Sequence, residues 1–251
     1  MFTKINFNNK TYSAQLNDCI DISIPLRAGA DNVNAWWAAP VTIEAVRTET
    51  FIGDVNQGGS VNFRNVALNP HGNGTHNECV GHISKEPYTI NQCLKHFFFV
   101  AQLITVTPSE TGNGDKVILA ESISKVLKPN VDAVLIRTLP NNNSKLTRQY
   151  SGTNFPYVQN EVMEIMVKNN VQHFLIDLPS VDREFDDGKL QAHHTFWQYP
   201  HATRTQCTIT EMVYVENKIE DGIYLLNLQI TALENDATPS KPVLFRMVEL
   251  S

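Results

Sequence analysis

The sequence lacks several features that define whole classes of protein. Its 251 residues contain no stretch that approaches the roughly 20 apolar residues of a membrane-spanning helix. The first residues lack the apolar segment of a secretory signal peptide. Lys and Arg total 20 against 26 Asp and Glu, so the formal net charge is −6, with no basic excess for nucleic acid or an anionic membrane. We therefore expect a cytoplasmic protein without nucleic-acid or membrane partners.

Cysteine is scarce, and its spacing matches no metal-binding or disulfide motif. The four cysteines lie far apart, and none forms a Cys-x-x-Cys pair. In a chain of this size without a signal peptide, reduced thiols are the expected state. Interdomain linkers, internal repeats and low-complexity tracts are also missing, which predicts a single domain over residues 1–251.

Short strand patterns are what the sequence has in abundance. Alternating or continuous apolar residues predict strands at 19–25, 41–46, 96–105, 133–136, 173–176, 222–230 and 243–248. Helical spacing predicts only short helices, at 120–127, 160–169 and 190–197. The second of these helices lies between two apolar strands, which predicts a right-handed βαβ unit. The expected fold class is α/β, with more strand than helix.

The densest polar cluster lies between His71 and His82, where three histidines, one glutamate and three glycines fall within twelve residues. His76 and Glu78 are two residues apart, so an extended backbone places their side chains on one face. His82 returns to that face if the chain turns at Gly81. Two imidazoles and a carboxylate are natural ligands for a divalent metal such as Zn²⁺. The alternative is a glycine-rich surface loop that carries hydrophilic side chains.

A metal site here needs a ligand from a distant part of the chain. His193 in a predicted helix is one candidate, although a lone histidine is more often a surface or hydrogen-bonded residue. Glu211 is the other, since it lies in an apolar, strand-like stretch. A buried carboxylate needs a partner, and a metal would supply one.

The order of these residues resembles the metal-dependent cyclase family, whose members include the kynurenine formamidases (arylformamidases) of tryptophan catabolism. The family motif H-x-G-T-H-x-D-x-P-x-H is matched by Gly74-Thr75-His76 and by His82. Further blocks similar to the family follow in its order, at 134–138, 176–182, 190–193 and 210–211. The resemblance covers about residues 15–250.

This resemblance implies a single β-rich domain of the swivelling β/β/α type, with a mixed sheet and few helices. It implies a divalent ion, Zn²⁺ or else Mn²⁺, and His82 as the catalytic acid and base beside it. The metal ligands that it implies are His76, Glu78, His193 and Glu211. Three further positions would support the site or form a capped turn: Asp177, Ser180 and Asp182.

The chain departs from the family motif at three positions. The first histidine of the motif falls at Gly72, which has no side chain to donate. The adjacent His71 would replace it only if the loop shifted by one residue. Glu78 replaces the motif aspartate, and Val80 replaces the motif proline. We therefore expect one bound ion rather than two, and a site without metal stays open.

Two adjacent tryptophans, Trp36 and Trp37, lie in a loop-like stretch of the divergent N-terminal part. They line a substrate pocket in one interpretation, because aromatic side chains often do so. They pack in the core or in a dimer interface in the other.

The activity that the resemblance implies is metal-assisted hydrolysis of a small amide, an N-formyl arylamine or an ester. A bound ion of the Zn²⁺ type lowers the pKa of its water to about 7, and His82 would move protons between that water and the leaving group. One alternative is a relative that binds a small metabolite or a metal without turnover, which Gly72 and Glu78 suggest. Another is a related metal-dependent lyase or cyclase. We expect a homodimer or a higher homo-oligomer.

Overall fold

The computed structural model describes residues 1–250 of the chain. Within that range the α-helices are α1 (Ile90–Cys93), α2 (Ala120–Ser124), α3 (Asn160–Lys168) and α4 (Gln191–Trp197). The strands are β1 (Phe2–Phe7), β2 (Lys10–Asp21), β3 (Thr42–Ala45), β4 (Arg64–Ala67), β5 (His76–Glu78), β6 (Phe98–Val106), β7 (Ser109–Glu110), β8 (Lys116–Ile118), β9 (Ala133–Thr138), β10 (Tyr157–Val158), β11 (His173–Ile176), β12 (Thr208–Glu211), β13 (Gly222–Asn227), β14 (Ala237–Pro239) and β15 (Val243–Glu249). None of the helices in this range has the length and apolar character needed to cross a bilayer.

One mixed sheet dominates the fold. Its ten strands follow the order β1-β2-β15-β13-β6-β9-β11-β12-β5-β14. The central strands β6, β9, β11 and β12 run parallel to one another. Antiparallel strands extend the sheet on both sides, with β5 and β14 beyond β12 and the other four beyond β6. This architecture confirms the predicted β-rich α/β class with a mixed sheet and few helices.

The predicted βαβ unit consists of β9, α3 and β11. The two strands are parallel, with Ala133 opposite His173. Alternate side chains of these strands enter two different core clusters, so the sheet is buried on both faces. On one face, α3 packs Val162, Met163 and Met166 against the sheet because these residues share one side of the helix.

The N-terminal region differs from the prediction of a strand at 19–25. The strand is β2, which ends at Asp21 and forms a hairpin with β1. A two-residue turn joins them at Asn8 and Asn9, whose positive φ angles of 48° and 61° fit the type I′ turns that such hairpins favour. About half of the residues in each strand are exposed, and only Phe7 and Ala14 are buried, so the apolar pattern that predicts strands is weak here.

One core histidine lies apart from the polar cluster of the sequence. His173 on β11 is 1% exposed, and its ring centroid lies 3.9 Å from that of Phe99. Its Nδ1 lies 2.9 Å from Thr208 Oγ1. Burial, with a smaller contribution from the positive charge of Arg204, lowers the pKa of His173 to about 3. The ring is therefore neutral at pH 7.

Replacement of His173 by glutamine is expected to flatten the acid dependence of stability. In the folded chain the ring has a pKa of about 3, against about 6.5 when unfolded, so protonation favours the unfolded chain. Stability is present above the unfolded pKa and is lost as the pH falls below it, by up to about 1.4 kcal/mol per pH unit. Urea unfolding between about pH 7 and pH 4 should show a steeper loss in the wild type than in His173→Gln.

The exposed His201 provides the control, and His201→Gln should keep the wild-type slope. Equal slopes in all three proteins would show that His173 does not carry this dependence.

Candidate metal centre

Three of the predicted ligands meet where β12 pairs with β5. The strand β5 is His76–Glu78, so its first and last side chains point to the same face. In the antiparallel register, Glu211 at the end of β12 lies directly opposite His76. Opposed residues of such a pair have their Cβ atoms about 4.5–5.5 Å apart on one face. The sheet therefore brings Glu211 to the two residues of the motif.

The fourth predicted ligand, His193, comes from α4. Asp182 caps the start of this helix by accepting hydrogen bonds from the backbone N–H groups of Ala192 and His193, at 2.8 and 3.2 Å. The same carboxylate lies 2.6 Å from His193 Nδ1, which fixes the ring. Nε2 of His193 then lies 3.2 Å from Glu78 Oε1 and 3.9 Å from Glu211 Oε1. Asp182 thus binds Nδ1 of His193 and orients the ring so that Nε2 faces the two carboxylates.

His76 faces the other oxygen of each carboxylate. Its Nδ1 donates a hydrogen bond of 2.9 Å to Gly74 O, since a carbonyl oxygen only accepts. The lone pair is therefore on Nε2, which lies 3.4 Å from Glu211 Oε2 and 4.0 Å from Glu78 Oε2. Each carboxylate thus turns Oε1 towards His193 and Oε2 towards His76.

Thr75, the middle residue of the Gly-Thr-His block, anchors this strand. Its hydroxyl donates to Met212 O at 2.5 Å and accepts from Ile24 N at 2.8 Å. These bonds tie the start of β5 to the residue that follows β12. The two hydrogen bonds of Thr75 therefore help to hold the register that places His76 opposite Glu211.

Burial and charge act against each other in this site. His76 and Glu78 are 0% exposed, His193 is 2% exposed and Glu211 is 3% exposed. Burial opposes ionisation of Glu78, but His82, His193 and His71 outweigh it and hold the pKa of that carboxyl well below its usual range. Burial likewise opposes protonation of His193, yet Asp182 and Glu78 raise the pKa of its ring.

The residues fit a divalent metal ion. Two buried atoms, His76 Nε2 and Glu78 Oε2, have no hydrogen-bond partner within residues 1–250. Such atoms are costly to bury unsatisfied, and a cation would satisfy both. Imidazole nitrogens and carboxylate oxygens suit Zn²⁺ or Mn²⁺. Ligands of one tetrahedral ion with bonds of about 2.0–2.1 Å lie about 3.4 Å apart, close to the 3.2 and 3.4 Å that separate His193 from Glu78 and His76 from Glu211.

Three partly exposed side chains form the rim of the site: His71, His82 and Asp236. Their exposed fractions are 22%, 28% and 26%. Asp236 Oδ2 lies 2.8 Å from His71 Nε2 and 3.3 Å from His82 Nδ1. The two imidazoles lower the pKa of Asp236.

Asp236 is a site residue that the sequence analysis missed. It immediately precedes β14, which pairs with β5 so that Ala237 lies opposite Glu78. A backbone hydrogen bond of 3.0 Å from Cys79 N to Asp236 O holds it there. Nothing in the sequence around Asp236 indicates this pairing, because the two strands are far apart in the chain.

His82 ends the tight turn Val80–His82 that follows β5. Gly81 permits the close packing of this turn, since a Cβ there would lie 2.0 Å from Tyr88 O. His82 Nδ1 faces Asp236 and lies 3.9 Å from Glu78 Oε2. His82 therefore returns to the face of Glu78, as the sequence predicts.

Position 72 has no room for a histidine. A Cβ on Gly72 would lie 2.3 Å from Ala38 Cβ and 2.9 Å from Ala35 O. Ala35 N also donates to Gly72 O at 2.9 Å. The preceding residue, His71, points into the site instead, with Nδ1 3.1 Å from Glu78 Oε2. This is the orientation that the one-residue shift considered from the sequence requires.

The two tryptophans differ in environment. Trp36 is half-buried, and its ring meets that of Phe155 edge-on with the centroids 5.7 Å apart. Trp37 is 66% exposed and lies 6.2 Å from Phe185 between centroids. Trp36 therefore belongs to core packing, while Trp37 lines a surface cavity of about 400 Å³ together with Asn73.

Comparison with known proteins gives one family match and several similar structures. Residues 20–183 match the family described as "Putative cyclase". A potential metal-dependent hydrolase with cyclase activity is 16% identical, with a TM-score of 0.66 over 91% of this chain and 97% of that one. A predicted metal-dependent hydrolase from Bacillus stearothermophilus is 16% identical, with a TM-score of 0.65 over 91% and 98%. Isatin hydrolase A from Labrenzia aggregata, bound to benzyl benzoate, is 12% identical, with a TM-score of 0.66 over 93% and 94%. Curated protein sequences gave no match.

Zn²⁺ or Mn²⁺ is expected to raise the melting temperature of the chelator-treated protein. An ion present at a hundred times its Kd adds about 2.7 kcal/mol to stability, which corresponds to about 5–10 °C for a chain of this length. The rise should be smaller for Glu211→Gln, because that change removes a charged donor from the buried site. Differential scanning fluorimetry measures both rises.

The matched control is Glu110→Gln, since the side chain of Glu110 is 79% exposed and lies outside the site. It should keep the full metal-dependent rise. An equal rise for Glu211→Gln and the control would contradict the role of Glu211.

Proposed function

The chain belongs to the cyclase family, and we propose that it is a metal-dependent hydrolase of small amides or esters. The observation that carries the proposal is the pair of buried, unpartnered atoms, His76 Nε2 and Glu78 Oε2. The neighbouring rim side chains are 22–28% exposed, so the buried charge cluster lies next to solvent. Two similar structures, each described as a metal-dependent hydrolase, support the same class of reaction.

The residues that would hold the metal are His76, Glu78, His193 and Glu211. A divalent ion bound there would lower the pKa of a bound water to about 7 and polarise the carbonyl of the substrate. The expectation of a single ion rested on Gly72. The donors instead form two groups, His76 with the Oε2 atoms and His193 with the Oε1 atoms of both carboxylates. This grouping supports two ions better than one, and elemental analysis of the purified protein counts them.

His82 is the group that would transfer protons. Its Nδ1 faces the Asp236 carboxylate at 3.3 Å, which leaves Nε2 for the substrate. An imidazole both accepts and donates a proton in one reaction cycle. Its side chain is 28% exposed and can be reached from solvent, whereas His76 and His193 are buried.

We infer that the substrate is an N-aryl amide. The motif resembles that of enzymes that hydrolyse N-formyl arylamines. In these substrates the amide nitrogen is attached to an aromatic ring. Isatin is a cyclic amide with the same attachment, and three of the similar structures are isatin hydrolases. The bond that these two kinds of compound share is the C–N bond of an amide whose nitrogen is on an aromatic ring.

Replacement of His82 by alanine is expected to lower kcat by about 10²- to 10⁴-fold, the usual contribution of a general acid or base. Metal content should stay at the wild-type level, because His82 is not among the proposed ligands. The assay panel is N-formylkynurenine, isatin and a simple aryl ester, each measured with the metal-loaded protein. The exposed His201 supplies the control, and His201→Ala should retain wild-type turnover.

Three outcomes separate the hypotheses. Turnover that survives His82→Ala would contradict the acid and base role of His82. A wild-type protein that binds metal but turns over no compound of the panel would favour binding without hydrolysis. A wild-type protein that binds no divalent metal would contradict the proposed function as a whole.

A further inference from the structure

We propose that His71 is a further metal ligand that takes over the role of the missing histidine at position 72, and that Asp236 is the residue that positions it. This proposal rests on the proposed metal site. It extends that site to two residues outside the motif positions.

The first argument is that position 72 is closed to any side chain. The Cβ of a residue there would lie 2.3 Å from Ala38 Cβ, far inside normal contact. The surrounding turn is also held in place, because Gly72 N and Asn73 N both donate to Asn69 O, at 3.2 and 3.0 Å. Asn69 Oδ1 accepts a second bond from Gly72 N at 3.1 Å. The turn therefore cannot rotate to make room without losing these bonds.

The second argument is that the side chain of the preceding residue, His71, points into the proposed metal site. His71 Nδ1 lies 3.1 Å from Glu78 Oε2, the buried oxygen that makes no hydrogen bond within the described chain. The ring centroid of His71 lies 5.2 Å from that of His76. Donor atoms of His71, His76 and Glu78 converge, all within 4.8 Å of one another. His71 thus joins the group of donors that contains His76 and the Oε2 atoms.

The third argument is that Asp236 holds His71 as carboxylates hold metal-binding histidines. A histidine that binds metal through one ring nitrogen usually donates its other N–H to a carboxylate or carbonyl. His71 Nε2 lies 2.8 Å from Asp236 Oδ2, which leaves Nδ1 directed at Glu78. Asp182 has the same relation to His193, at 2.6 Å from Nδ1. The two donor groups are therefore built alike, each with a histidine held by its own carboxylate.

Cobalt(II) titration of the metal-free protein tests the assignment, since the visible absorption of bound Co²⁺ depends on its ligands. The variant His71→Ala should bind fewer Co²⁺ ions, or bind Co²⁺ more than about tenfold more weakly, and its visible absorption spectrum should change. His201→Ala, which removes an exposed histidine, should match the wild type. Wild-type count, affinity and spectrum in His71→Ala would overturn the role of His71. A wild type that binds no Co²⁺, Zn²⁺ or Mn²⁺ would overturn the proposed function and this inference together.

Two further variants separate coordination from a merely structural role. Asp236→Asn should weaken Co²⁺ binding by about 10–100-fold, the usual effect of losing such a partner. Asp236→Glu should restore part of it. The metal-free melting temperatures of the wild type and both Asp236 variants are measured beside the affinity, because Asp236 also contacts His71 and His82 without metal. If Asp236→Asn lowered the metal-free melting temperature and left the affinity for Co²⁺ unchanged, the positioning role would be wrong.

Exchange of the two loop residues tests the steric argument. The double variant His71→Gly/Gly72→His keeps one histidine in the loop but places it where Ala38 lies. It should bind Co²⁺ no better than His71→Ala. Restoration of wild-type affinity by the exchange would show that position 72 is open and would overturn the argument.

Discussion

The buried carboxylate of Glu78 is the constraint on which the arrangement of the site depends. Its side chain is 1% exposed, and removal of such a charge from water costs several kcal/mol unless it is paired. The chain surrounds this carboxylate with imidazoles from three separate segments: the loop before β5, the turn after it, and α4. Their imidazoles, those of His71, His82 and His193, all lie within 4 Å of a Glu78 oxygen. Each of these segments therefore needs the carboxylate to be where β5 places it.

Local patterns in the sequence predicted what depends on local geometry. Period-two alternation placed His76 and Glu78 on one face, and apolar spacing identified the βαβ unit of β9, α3 and β11. Local patterns do not predict which strands become hydrogen-bonded neighbours in the sheet. The strand β5 lies between β12 and β14, which are more than a hundred residues away in the chain. Only side-chain packing and backbone pairing between distant segments decide that position, and no short pattern records it.

The same distinction separates the site residues that sequence reasoning found from those it missed. His193 and Glu211 are candidates from their places in a predicted helix and in an apolar, strand-like stretch, and the ordered blocks of the family give them a role. Asp236 had no such block, and it enters the site only because β14 pairs with β5. Gly72 was interpreted as the loss of a ligand, because the sequence does not show that Ala35 and Ala38 pack against it.

The two departures from the motif at Gly72 and Glu78 meet in one contact. Taken singly, each weakens a metal site, since one removes an imidazole and the other displaces a carboxylate by a methylene group. In the folded chain the histidine lies one residue earlier, and its Nδ1 lies 3.1 Å from Oε2 of the longer side chain. The longer side chain of Glu78 and the histidine at position 71 are thus in contact with each other. This contact is what the proposed replacement of the missing ligand by His71 requires.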